Sequence, residues 1–241
     1  VFAPVDAAFE ALGEGTLNNL LDPANLDALT SLLTYHVVPG EFGSADLSDG
    51  QLLTSLEGGE IAVGTSGGVT VDGQAVIAAD IPVANGVVHL VGGVLTEGLD
   101  AVERATVTPD LATLAAAVGA ADLVTTLQGD GPFTIFAPVN AGFDALELDA
   151  LLDPANQGLL QKILTNHVIA GVEVAEADLV DGQMVGTVEG SMLEIDLDGG
   201  ATVNGIDIIA TDIRVGNGIV HLIDEVIVDH LNIVERAIAT P

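Results

Sequence analysis

A chain of 241 residues has room for two domains of ordinary size, each burying its own core. Its 36 Asp plus Glu against 4 Lys plus Arg give a formal net charge of −32, a field that repels nucleic acid and anionic lipid. With 49% hydrophobic residues, 17% charged residues and no cysteine, it is neither an acidic disordered tail nor a disulfide or thiol protein. Solubility by self-repulsion suits a high-salt, microbial source, where screening shortens to ~3 Å at 1 M. No stretch reaches the ~18 consecutive apolar residues of a membrane span.

Val1-Phe2-Ala3-Pro4 is a short apolar strand stopped by proline, and Asp6 to Leu12 reads as a helical turn or two. Asp22-Pro23 is an N-cap followed by proline at the first helical position. Leu26, Leu29, Leu32 and Leu33 then form a stripe that predicts an amphipathic helix over 23–34. Thr34-Tyr35-His36-Val37-Val38 reads as the start of a strand. Short strands are expected near 52–57, 60–64, 69–71, 74–81 and 87–95, with turns at Gly67-Gly68, Asp72-Gly73 and Asn85-Gly86. Asn-Gly before β-branched residues signals a hairpin, because primed turns need φ > 0 at their centre.

The chain then repeats itself. Phe136-Ala137-Pro138 echoes Phe2-Ala3-Pro4 after 134 residues, and Asp153-Pro154 echoes Asp22-Pro23 after 131. Leu159, Leu160, Ile163 and Leu164 renew the stripe, and Asn166-His167 follows where Tyr35-His36 stood. From Asp181-Gly182 onward the spacing is a constant 132, so that Asn217-Gly218-Ile219-Val220-His221 repeats Asn85-Gly86-Val87-Val88-His89. Helices at 110–118 and 121–128 have no counterpart before Val1, while Glu235-Arg236-Ala237 repeats Glu103-Arg104-Ala105. Copy one is thus expected to leave an apolar face uncovered, either because the sequence is a piece of a longer polypeptide, which we prefer, or because a neighbouring chain covers it.

Many short strands beside a few helices in each copy predict an α+β class, with wedges of antiparallel strands packed on helices. Phe-Ala-Pro-Val-Asp/Asn-x-x-Phe followed by Asn-Gly-x-Val-His-x-Val/Ile, with Tyr-His between, resembles the fasciclin (FAS1) domain twice over. Domains 1–104 and 105–241 are expected. The resemblance implies a secreted or cell-surface adhesion protein, acting on protein or extracellular-matrix partners and often built as tandem repeats. In animal members the Tyr-His region is tied to integrin binding. Tyr35-His36 fits that motif, and Asn166-His167 departs from it.

Other readings of single residues are plainer. His89 and His221, like His36 and His167, are expected to be half-buried groups bonded to backbone carbonyls. His230 has Gly98 as its counterpart and is expected at the surface. Gly64-Thr65-Ser66-Gly67-Gly68 matches a nucleophile elbow in letters, but that elbow joins a strand to a helix, and here two short strands flank it. Asp196-Leu197-Asp198-Gly199-Gly200 opens like a calcium loop without its downstream bidentate Glu. Arg104 and Arg236 read as a structural ion pair or helix C-terminal charges. No enzyme, resident metal or cofactor is expected, only weak Ca2+ association with the carboxylate surface. The leading expectation is therefore a non-catalytic adhesive module, a section of a longer array or fibre that associates head to tail. The alternative is a binder of apolar small molecules such as carotenoids or lipids, using copy one's uncovered face.

Overall fold

The computed structural model describes residues 1–240 and divides between Leu99 and Asp100 into two units. Five residues separate this division from the boundary expected after residue 104. The reason is the helix Ala101–Val107, which buries Ala101 and Ala105 in the core of unit 2 and cannot be split.

Unit 1 contains β1 (Phe2–Pro4), α1 (Asp6–Ala11), α2 (Glu14–Leu20) and α3 (Leu26–Tyr35), followed by β2 (Leu52–Thr54), β3 (Glu60–Gly64), β4 (Thr70–Val71), β5 (Gln74–Val83) and β6 (Gly86–Val91). Its sheet has the order β1-β6-β5-β4-β3-β2. Unit 2 opens with three helices, α4 (Ala101–Val107), α5 (Ala112–Ala120) and α6 (Val124–Leu127), before β7 (Phe133–Pro138), α7 (Leu148–Leu151), α8 (Gln157–Thr165) and β8 (Val168–Ala170). It continues with β9 (Gln183–Gly186), β10 (Met192–Asp196), β11 (Thr202–Val203), β12 (Ile206–Val215), β13 (Gly218–Ile223) and α9 (Ile233–Ala239). The strands pair as β8-β7-β13-β12-β11-β10-β9. This is the expected α+β arrangement, with one amendment: each sheet is mixed, because β1 runs parallel to β6 and β7 parallel to β13.

Local chemistry accounts for the elements and for several departures. Asp22 and Asp153 accept from the amides of Ala24 and Ala155, but each opens a 3-10 turn before its α-helix, so α3 starts at Leu26 rather than at 23. The buried face of α3 is Ala28, Leu32 and Tyr35, whereas Leu26 and Leu33 are 60% and 50% exposed. In α8 the stripe is buried at Leu160, Ile163 and Leu164, because α5 packs over it. Residues 36–38 form a turn and coil, and only the second copy's 168–170 becomes a strand.

The hairpin corners also differ from expectation. Val83 pairs with Gly86 and Val215 with Gly218, so the two-residue connections are Ala84-Asn85 and Gly216-Asn217. Among the residues of these corners only Gly86 and Gly218 have positive φ. The primed-turn chemistry lies instead at Asp72-Gly73 and Asn204-Gly205, where both residues are left-handed. Among the described residues no helix is long and apolar enough to cross a membrane.

Candidate functional site

Each unit carries two interior histidines that tie separate elements together. The chain after α3 turns back on itself, so the His36 ring lies under the helix end: its Nδ1 donates to the Leu32 carbonyl at 2.7 Å, and its Nε2 accepts from the Leu95 amide at 2.9 Å. His167 does the same with Ile163 and Ile227, at 2.8 and 2.9 Å. Burial holds both imidazoles below their ordinary pKa, His167 down to about 4.

His89 and His221 stand on β6 and β13 and are likewise buried. Their Nε2 atoms donate to the carbonyls of Phe42 and Val174, both at 2.8 Å, and Phe2 and Phe136 stack on their rings with centroids 5.5 and 5.6 Å apart. Ala3 and Pro4, like Ala137 and Pro138, extend the same parallel pairing along β6 and β13. The loops that supply those carbonyls are fastened by a bulge. Asp80 and Asp212 sit at left-handed positions in β5 and β12 and accept from the amides of Ser44 and Glu176 at 2.7 and 2.8 Å. Sequence reading missed these two aspartates. The sign of them is an Asp nine residues before the strand histidine in both copies.

The Tyr-His motif is solved differently in the two units. Tyr35 is 2% exposed, and its hydroxyl lies 2.9 Å from the Glu60 carbonyl and from Asp72 Oδ2. Burial pushes the Asp72 carboxyl and the Tyr35 phenol up, the phenol further through the adjacent Asp72 charge. In unit 2, Asn166 is fully buried. Its Nδ2 donates to His230 Nδ1 at 2.9 Å, and its Oδ1 accepts from Thr187 and Ser191. His230 is therefore partly buried and engaged, not a surface residue. Tyr35, His36, Asn166 and His167 all spend their polar atoms inside the fold.

The corner residues Asn85 and Asn217 have opposite fates. Asn217 Oδ1 accepts from the Ala101 amide at 3.0 Å, and its Nδ2 donates to the carbonyls of Leu127 and Gly129 at 2.7 and 3.0 Å. One side chain thus pins the start of α4 and the end of α6 to the β12–β13 corner. Asn85 is exposed, and among the described residues its carboxamide makes no hydrogen bond. Beneath α4 and α5, unit 2 also encloses an apolar cavity of about 80 Å³, lined by Ala105, Leu114, Val118, Ile135, Val168 and Val220 among others.

The remaining motifs keep simple roles. Ser66 is exposed on the turn between β3 and β4, a strand-to-strand setting without the geometry of a nucleophile elbow. Asp196 accepts from the Asp198 amide at 2.8 Å, closing an Asx turn. Arg104 and Arg236 lie in the last turns of α4 and α9. The close ion pair of unit 2 is Lys162 with Glu235, at 2.9 Å.

Comparison with known proteins agrees with this geometry. The model of the Fasciclin domain family matches residues 1–97 and 109–229. Transforming growth factor-beta-induced protein ig-h3 of Sus scrofa is 34% identical over 238 residues, which is 95% of this chain and 34% of that protein. The chain thus spans about a third of that relative's length. Protein sll1483 of Synechocystis is 42% identical over 130 residues, covering 52% of this chain and 71% of that protein. Among solved structures, a FAS1 domain pair from the insect cell adhesion molecule fasciclin I superposes with a TM-score of 0.52 at 20% identity, covering 95% of this chain and 88% of that one. The chain belongs to the fasciclin domain family and carries two of its domains in tandem.

Proposed function

We propose that the chain is a non-catalytic adhesive module, secreted or held at a cell surface, that works through protein or matrix contacts. The observation that carries this reading is where the chemistry-bearing residues are spent. The Tyr-His and Asn-His motifs and both strand histidines bond to their own unit, while large apolar side chains such as Leu33, Val83, Ile233 and Val234 face outward. With those motif groups engaged inside the fold, the exposed apolar side chains are what the surface offers a partner. The Tyr35 and Asn166 neighbourhoods would then act by shaping the loops around them.

The module needs no cofactor, and its carboxylates would take Ca2+ only weakly from solution. Its charge suits high salt, where copies approach one another and a partner without long-range repulsion. The test is adhesion itself. Beads coated with the chain are expected to retain cells from its source, or isolated surface and matrix proteins, at molar salt. Retention no greater than on beads coated with an unrelated acidic protein would overturn the reading.

The cavity under α4 and α5 favours a second reading, in which it takes one end of an apolar small molecule in unit 2. Protein purified from its source would then carry visible absorbance or extractable lipid. Colourless, lipid-free material overturns this alternative.

A further inference from the structure

We propose that Asn166 and His230 form a proton-operated switch inside unit 2. When His230 takes up a proton at Nδ1, the Asn166 carboxamide turns over, and the hydroxyls of Thr187 and Ser191 change from donors to acceptors.

The site exists because four positions differ together between the two copies. In unit 1 they are Tyr35, Ser55, Gly59 and Gly98, and the Tyr35 ring fills the space between them. An added Cβ at Gly59 would stand 2.9 Å from Tyr35 Cε2, and one at Gly98 would overlap the ring. In unit 2 the same positions are Asn166, Thr187, Ser191 and His230. A single large ring has been exchanged for three polar side chains around a buried amide.

Three segments meet at that amide: the end of α8, the turn between β9 and β10, and the chain after β13. Asn166 Nδ2 donates to His230 Nδ1 at 2.9 Å, and its Oδ1 accepts from Ser191 Oγ and, at 3.3 Å, from Thr187 Oγ1. With Nδ1 accepting, the proton of the neutral ring lies on Nε2, which is buried and faces the Lys162 carbonyl without closing a hydrogen bond. The other neutral tautomer would set a lone pair against that carbonyl oxygen. The neutral ring is thus held in one form.

Protonation upsets this arrangement at one point. A second ring proton, on Nδ1, would face the Asn166 Nδ2 donor. A half-turn of the carboxamide about its broad terminal torsion brings Oδ1 to Nδ1–H and Nδ2 to the two hydroxyls. Hydroxyls accept as well as donate, so Thr187 then gives its proton to the Ser191 carbonyl, 3.3 Å away, and half-buried Ser191 gives its own to solvent. Each polar atom that is bonded before the turn is bonded after it, and the core stays closed.

The charged groups around the ring come from every element packed on it. They are Lys162 of α8 with its partner Glu235 of α9 at 2.9 Å, Glu189 on the β9–β10 turn, the adjacent Asp229, and His167 at the end of α8. Burial holds the His230 ring below its ordinary pKa; Glu189 and Asp229 oppose that shift, and Lys162 adds to it. His230 is only partly buried, so it takes its proton before His167, which is driven down to about 4. The turn at the receiving end carries Val188, 47% exposed. A proton taken up behind β13 is therefore relayed to the surface at β9–β10. This inference goes beyond the adhesive reading and does not depend on it.

Nuclear magnetic resonance of the isotope-labelled whole chain, titrated from about pH 7.5 to about pH 4.5, tests it. At neutral pH His230 is expected to carry its proton on Nε2. As the ring titrates, the Asn166 side-chain amide signals are expected to move with the same midpoint, and their Overhauser contacts to pass from the His230 ring to the side chains of Thr187 and Ser191. His230→Gln is expected to remove that inflection from Asn166. Asn166→Asp presents an acceptor to Nδ1–H without any turn, and is expected to raise the His230 midpoint by about 1–3 pH units. An Asn166 amide indifferent to the His230 midpoint, a protonated ring that leaves Asn166 for solvent, or a neutral ring protonated on Nδ1 overturns the proposal. The wild-type titration decides the matter even where a variant does not fold.

Discussion

The ring of Tyr35 occupies the space that a side chain at Gly98 would need. A Cβ on Gly98 would overlap Tyr35 Cβ and Cγ and stand 2.6 Å from Cδ2. In unit 2 the equivalent pair is Asn166 and His230, a small side chain beside a large one, joined by a hydrogen bond of 2.9 Å. The volume has moved across the contact from one partner to the other.

Gly98→Ala is therefore expected to destabilise unit 1 by about 1–3 kcal/mol, the usual cost of overpacking a filled site. Transplanting the unit 2 solution whole, as Tyr35→Asn with Gly98→His, is expected to cost less than the sum of its two single changes. Urea denaturation of the four proteins measures the coupling, and strict additivity would show that the two positions are independent.

Asn217→Ala removes three hydrogen bonds that fasten α4 and α6. At ~1 kcal/mol for each, unit 2 is expected to lose about 3 kcal/mol. Asn85→Ala removes none and is expected to fall within about 0.5 kcal/mol of wild type. Hydrogen exchange at the amides of 101–128 follows the first variant directly, because those helices open once the corner lets go.

A parallel asymmetry holds for the adjoining glycines. Gly218 has φ +155, and an added Cβ would strike Phe133, lying 2.7 Å from its amide nitrogen and 2.8 Å from its carbonyl carbon. Gly86 has φ +151 with nothing within 4 Å. Gly218→Ala is expected to break the β7–β13 register and to unfold unit 2 at a lower temperature. Gly86→Ala is expected to carry only the conformational cost, of about 1 kcal/mol. Differential scanning calorimetry of the two variants gives the comparison, and equal shifts would count against it.

The interior imidazoles set an acid limit. His167 remains unprotonated in the fold down to about 4, while an unfolded chain takes up that proton near 6.5. Between those values the unfolded state binds more protons, so stability falls as pH is lowered, by up to about 1.4 kcal/mol per pH unit for this residue, and is level above the window. Burial shifts His36 in the same direction. Urea midpoints at about pH 7, 6 and 5 test the slope, a range chosen because most carboxylates keep their charge there. His167→Gln is expected to be less stable at neutral pH and to show a shallower slope.

Much of the fold is legible in the letters because the repeat is written in turn chemistry. Asp-Gly and Asn-Gly pairs at fixed spacing locate the strands to within a few residues, and the positions of the four paired histidines follow from their neighbours. What is not legible depends on contacts distant in sequence. Repeat phase alone attaches residues 101–104 to the first copy, whereas their packing attaches them to the second. Leu26 and Leu33 have the spacing of a buried stripe and are exposed, because among the described residues no helix packs over α3 as α5 packs over α8. His230 reads as a surface residue until Asn166, 64 positions earlier, is brought beside it. Asp80 and Asp212 read as ordinary charges until the bulge shows what they fasten.

The parallel pairing of β1 with β6 and of β7 with β13 has a mechanical consequence. In each unit the first and last long-range strands lie side by side and point the same way. A pull that draws the start of the first strand away from the end of the last slides the two along each other. Every bond of the ladder then resists at once, and none can be peeled open singly from an end. In unit 2 that ladder holds six residue pairs, Gly218–Phe133 through Ile223–Pro138, which would share the load.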